Sequence, residues 1–99
     1  MKIIKKFSVK NRKYQYRYCN DGIGVYTKNK EVDCFEFIGT IFIHKNEFAF
    51  HFNNDRYFDT YLTIKGFNHK LYSIFGKNSN ITQKEVDYLY SIYLMNKLI

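Results

Sequence analysis

Arg12-Lys13-Tyr14-Gln15-Tyr16-Arg17-Tyr18-Cys19-Asn20-Asp21-Gly22-Ile23-Gly24-Val25 is the stretch on which the fold turns. Tyrosine recurs at every second position, with Lys13, Gln15 and Arg17 between. That period of two is the mark of a strand with one apolar and one polar face. Asp21-Gly22 then signals a hairpin, because glycine accepts the positive φ of a tight two-residue turn. With the turn on Asp21-Gly22, Tyr18 pairs with Val25 and Tyr16 with Thr27, so Ile23 and Val25 join the tyrosine face. A turn on Asn20-Asp21 with a bulge at Gly22 would place Ile23 and Val25 beside Arg17 and Gln15, because a slip of one residue exchanges the faces. The first register separates apolar from basic side chains and is the one expected.

Working outward, residues 2–9 form a first strand with Ile3, Phe7 and Val9 on one face, although Ile4 breaks the alternation. Lys10-Asn11 is the turn into the second strand, 12–20, and the third runs over 23–29. The face opposite the tyrosines then collects Lys2, Lys6, Lys13, Gln15, Arg17, Tyr26 and Lys28. A second hairpin follows. Phe35, Phe37, Ile41 and Ile43 are expected on one face, Gly39 marks a bend or bulge, and Lys45-Asn46 turns the chain. Phe48, Phe50 and Phe52 should pair with Ile43, Ile41 and Gly39. Asn53-Asn54-Asp55 is a turn. Residues 56–64 are read as a further strand. Segment 65–76 is left between a short helix capped by Asn68 and stopped by Gly76, and a strand over 71–75.

Thr82-Gln83-Lys84-Glu85 is a capping box, with Ile81 and Val86 at staple positions, and it predicts a helix over 83–97. Val86, Leu89, Tyr90 and Tyr93 form one stripe of that helix. Tyr88, Ile92, Met95 and Ile99 form a second on nearly the opposite side, a candidate interface for a partner or for a second copy in a homodimer. The expected fold is α+β in a single domain, 1–99: an antiparallel meander sheet of about 5–6 strands with one C-terminal helix packed on its aromatic face.

The formal net charge is +7. Residues 1–20 carry all of it, because net −3 over 21–60 cancels net +3 over 61–99. Clustered cations interleaved with aromatic rings suit a polyanion surface. No apolar run follows the basic N-terminus as in a secretory signal, and no stretch approaches the roughly 18–20 apolar residues of a membrane span. Two cysteines, Cys19 and Cys34, make neither a disulfide framework nor a zinc site; both are expected to be buried in a reduced, cytoplasmic protein. His51 opposite Thr40 lies four residues from His44, about 13 Å away, too far to share a metal. Gly22-Ile23-Gly24 lacks the context of a phosphate loop. Glu31, Asp33 and Glu36 read as a solvated acidic face or as ion-pair partners for the basic strands. No cofactor is implied.

The expectation is a small non-catalytic protein that engages RNA, DNA or a nucleoprotein complex through Lys2, Lys6, Lys13, Arg17, Tyr26 and Lys28, without a membrane. The competing expectation is a protein-interaction module acting through the C-terminal helix. Phe, Tyr, Ile, Asn and Lys, which have AT-rich codons, dominate, while Pro and Trp are absent. That usage suits a phage or mobile element, and a phage-encoded inhibitor of a host defence nucleoprotein, such as an anti-CRISPR protein, is one form the first reading takes.

Overall fold

A computed structural model describes residues 2–19, 22–44, 47–53 and 60–97, the last six through their backbone alone. Five strands, β1 (Ile3–Val9), β2 (Arg12–Cys19), β3 (Gly22–Asn29), β4 (Glu36–His44) and β5 (Glu47–Phe52), form one antiparallel sheet in sequential order. Two helices follow, α1 (Ile64–Phe75) and α2 (Gln83–Lys97). The architecture is α+β, with one helix more than the sequence reading assigned.

The central hairpin is displaced by two residues from the expected register. Tyr18 pairs with Ile23, Tyr16 with Val25 and Cys19 with Gly22, so Gly22 belongs to β3 and not to a turn on Asp21-Gly22. An even shift preserves the faces, and the tyrosines still share theirs with Ile23 and Val25. Gly22 has a φ of 150°, and a Cβ there would collide with the Ile41 carbonyl oxygen on the neighbouring strand. Glycine is needed at this position for close backbone approach, not for the turn.

Two irregularities in the ladder redistribute side chains. On β1, Lys5 pairs with Tyr16 but Ile3 pairs with Arg17, so one residue is extra at Ile4. Phe7 and Val9 keep the tyrosine face as expected, Ile4 packs against the core, and Ile3 moves to the opposite face, 39% exposed. On β4, Val25 pairs with Gly39 but Tyr26 pairs with Phe37, which makes Ile38 the extra residue. Ile38 turns to the core, and Phe37 is thrown onto the face opposite the one expected. Asn53 secures this bulge: its backbone N–H donates to the Ile38 carbonyl at 3.0 Å and its side-chain amide to the Phe37 carbonyl at 2.9 Å. Beyond the bulge Phe48, Phe50 and Phe52 pair with Ile43, Ile41 and Gly39, the register the sequence predicts.

Of the strand expected over 56–64, residues 56–59 lie outside the described residues, and 60–63 are not a strand. Tyr61 makes a single bridge, exchanging backbone hydrogen bonds of 2.8 Å with Phe48. The Thr63 hydroxyl then accepts from the Gly66 N–H at 3.0 Å, and α1 begins. Phe67, Leu71 and Phe75 recur at i, i+4 and i+8, so one stripe of α1 is apolar and buried. Phe67 stacks on Phe48 at 5.8 Å, and Phe75 meets Tyr14 and Phe50 at 5.5 Å each. Gly76, with φ 88°, ends the helix by donating its N–H to the Tyr72 carbonyl at 3.0 Å. α2 adds Val86 and Leu89 to the same core, and Ile81 and Val86 are both buried at the staple positions. Each fully buried aliphatic or aromatic side chain contributes about 1.5–3 kcal/mol, and the aromatic face of the sheet supplies many of them.

Asn68 does not cap α1. It sits within the helix and grips the chain before α2: Nδ2 donates to the Ile81 carbonyl at 2.7 Å, and Oδ1 accepts from the Ile81 N–H at 2.7 Å. Ile81 is 2% exposed, so no water can replace both bonds easily. Asn68→Ala is expected to lower unfolding free energy by about 1–3 kcal/mol in chemical denaturation. Asn68→Asp, which keeps the acceptor and sets a carboxylate against the carbonyl, should be at least as costly. Values near those of Ser73→Ala, an exposed control on the same helix, would contradict this role.

Candidate nucleic-acid interface

The described residues of both helices pack on the tyrosine face. Among the described residues no helix covers the other face of the sheet, and its side chains follow from the pairing. Lys6 lies opposite Gln15, Ser8 opposite Lys13, Lys13 opposite Lys28, Gln15 opposite Tyr26, and Tyr26 opposite Phe37. Lys6, Lys13, Arg17, Tyr26 and Lys28 therefore share one surface, as the alternation predicts. Lys6, Lys13, Lys28 and Phe35 border a shallow depression of about 350 Å³, with Ser8 and Gln15 along it. Among the described residues neither Lys6 nor Lys13 has an acidic partner, the one described ion pair being Lys5 with Glu85. Lys28 donates to the Val32 carbonyl at 2.7 Å, and its Nζ stands 5.7 Å from the centre of the Phe35 ring.

Rings line the same surface. The Arg17 guanidinium lies 4.0 Å over the Tyr26 ring and 5.5 Å from Phe35, steadied by a 3.0 Å bond from Nε to Gln15 Oε1. Tyr26 stands 5.4 Å from Phe37. Gly24 makes the floor here, since a Cβ would come within 3.0 Å of the Tyr26 ring and 3.7 Å of the Phe37 ring. Phe37 is 39% exposed. Phe35 and Phe37 were expected among the core phenylalanines. The displacement at Ile38 moves Phe37 out, and Gly39, one residue further along, was the only sign of it in the sequence.

Lys2 leaves this surface. The extra residue at Ile4 reverses its side, and its Nζ lies 4.5 Å over the Tyr88 ring and 3.1 Å from the Tyr88 hydroxyl. Tyr88 in turn packs on Tyr18 at 4.9 Å, so it faces the sheet and not away from it. It is still 41% exposed. Of the other expected interface residues, the side chains of Ile92 and Met95, and all of Ile99, lie outside the described residues.

The second polar cluster sits between sheet and α2. Lys5, opposite Tyr16, pairs with Glu85 at 3.4 Å and donates to the Asn80 carbonyl. Glu85 was expected to reach back in a capping box. Its N–H does donate to Thr82 Oγ1 at 3.1 Å, but its carboxylate turns to Lys5, and Oε2 is buried with no partner among the described residues. The Tyr16 hydroxyl donates to the Ser79 carbonyl at 2.6 Å. Tyr18 Oη stands 3.4 Å from the Glu85 carbonyl. These groups are held by one another and present no nucleophile and base aimed at a common point.

Other features are disposed of by position. A wider groove of about 880 Å³ runs along the start of α1 past Tyr61, Lys65, His69 and Tyr72. His51 lies opposite Thr40 as expected, and no cluster of three metal-ligating side chains occurs among the described residues. Cys19 is half-buried and Cys34 exposed, so the expectation that both are buried fails; both thiols are free. Glu31, Asp33 and Glu36 are exposed.

Burial, and then the Glu85 charge, raises the Tyr18 phenol from its usual value of 10.0 to about 12, and the same causes raise Tyr16 further. Native phenols thus hold their protons more tightly than unfolded ones. Stability is unaffected by them below about pH 10 and falls as the unfolded chain alone ionises between about pH 10 and 12. In an alkaline titration, absorbance of tyrosinate is expected to include a late step that coincides with loss of the fold, and Tyr18→Phe should move unfolding to higher pH. A smooth titration of all tyrosines near pH 10 with the fold intact would contradict this burial.

No family model, no curated protein and no solved structure matches the chain.

Proposed function

We propose that this chain is a non-catalytic binding protein that engages nucleic acid, alone or within a nucleoprotein, through the open face of its sheet. One observation carries the reading: Lys6, Lys13 and Lys28 surround a single depression next to the Arg17–Tyr26 pair, and no ion pair is formed with them among the described residues. Cations gathered without counter-charges repel one another, and a polyanion relieves that repulsion and releases its own condensed counterions on binding. The reading takes the aromatic face as closed by α1 and by α2, which leaves the open face for a partner. No helix among the described residues is long and apolar enough to cross a membrane. A phage-encoded inhibitor of a defence nucleoprotein, such as an anti-CRISPR protein, is a setting that suits a small basic domain of this residue usage.

The alternative, an interface on α2, has less to support it. Its one described member, Tyr88, is engaged with Tyr18 and Lys2.

Binding to a labelled oligonucleotide between about 50 and 200 mM salt tests the proposal. With about four phosphates contacted, log K should fall against log[salt] with a slope near −3 to −4. Lys13→Gln should lessen that slope by about 1 and weaken all sequences alike. Binding indifferent to salt, or a slope unchanged by Lys13→Gln, would contradict it.

A further inference from the structure

We infer that the nucleic acid taken by this face is single-stranded, with an unpaired base stacked on Phe37 and the adjoining phosphates held by Lys6, Lys13 and Lys28. The inference rests on the proposal above and adds the kind of strand.

Width is the first argument. Neighbouring strands lie about 4.8 Å apart, so a five-stranded sheet is about 19 Å across, whereas the duplex major groove is about 12 Å wide and admits a two-stranded ribbon. This sheet cannot enter a groove face-on. Against a duplex it would touch only phosphates, and Phe37, Tyr26 and Phe35 would stay idle.

Those rings are the second argument. Phe37 is 39% exposed near the start of β4, just past the end of the β4–β5 ladder, at a position that an extra residue and two Asn53 hydrogen bonds serve to present. Leaving part of a phenylalanine ring in water while the neighbouring Ile38 packs against the core gives up apolar burial. The face already receives one flat cation: Arg17 lies over Tyr26 with Phe35 beyond it. A guanidinium plane and an exposed ring 5.4 Å from its partner ring offer two stacking surfaces of the sort that splayed bases use. The lysine depression adjoins this row through Phe35, so backbone and base can be engaged by the same strand.

Charge decides against a second copy of the chain as the occupant. A face-to-face dimer would oppose Lys6, Lys13, Arg17 and Lys28 to their own counterparts in a protein of net charge +7.

The test compares a 15-nucleotide oligo(dT), a 15-nucleotide oligo(U) and a 15-base-pair duplex by fluorescence anisotropy at one salt concentration. At least one single strand should bind more tightly than the duplex, although the duplex carries twice the phosphates. Phe37→Ala should weaken single-strand binding by about 5- to 150-fold while leaving the salt slope and the duplex affinity unchanged, and Phe37→Trp should retain the affinity. Thermal melting checks that both variants fold. A duplex bound equally or better, or Phe37→Ala without effect, overturns the inference and leaves the salt-dependent reading standing. A dimer in sedimentation that Phe37→Ala dissolves also overturns it. Absence of salt-dependent binding to all three overturns the inference and the proposal together.

Discussion

The pleat of an antiparallel sheet assigns each side chain to a face by counting, and in this chain the count is interrupted twice, at Ile4 and at Ile38. The distribution of charge and rings follows from those interruptions. At Ile4 the change takes Lys2 off the open face and delivers it to Tyr88, and it sends Ile4 inward in place of Ile3. At Ile38 it takes an aliphatic side chain into the core and puts Phe37 outside next to Tyr26. Without the second interruption Ile38 would stand opposite Tyr26 and Phe37 would turn to the core side. With it, the face carries cations and a row of rings.

The closed side shows a different compromise. Lys5 falls on the tyrosine face by register, where a cation would lose its hydration with nothing in return. Glu85 and the Asn80 carbonyl meet it there. Partly buried ion pairs add little net stability, but removing one partner strands the other, so the pair fixes where α2 lies more than how firmly the protein holds. The Asn68 clip on Ile81 acts on the same segment from the α1 side. Between them the two contacts bracket the loop 79–82, and Tyr16 anchors its first residue by bonding the Ser79 carbonyl.

Much of this was legible by period. The tyrosine alternation, the pairing of β4 with β5 and the limits of α2 follow from spacing alone, and Lys6, Lys13, Arg17, Tyr26 and Lys28 do share a surface. What escaped is what a local pattern cannot carry. The break in alternation at Ile4 and the glycine after Ile38 mark the two places, but which side chains change face there depends on which strand lies opposite. Gly22 serves the approach of β4, which a hairpin rule does not consider. α1 begins with Thr63, an ordinary cap that an Asn five residues later obscured. Glu85 satisfies a capping-box pattern and yet is claimed by Lys5, eighty residues earlier in the chain, because an ion pair at the sheet outweighs a local hydrogen bond at an exposed helix end.

Lysine acetylation footprinting can locate the surface that nucleic acid covers, which the proposal puts on the open face from β1 to β4. Reagent reactivity is compared with and without saturating oligonucleotide, and modified sites are read by mass spectrometry. Protection of Lys6, Lys13 and Lys28 together is expected, with Lys65 and Lys84 on the helices unchanged. Protection centred on Lys65 beside the α1 groove, with Lys13 and Lys28 as reactive as in the free protein, would contradict the proposal.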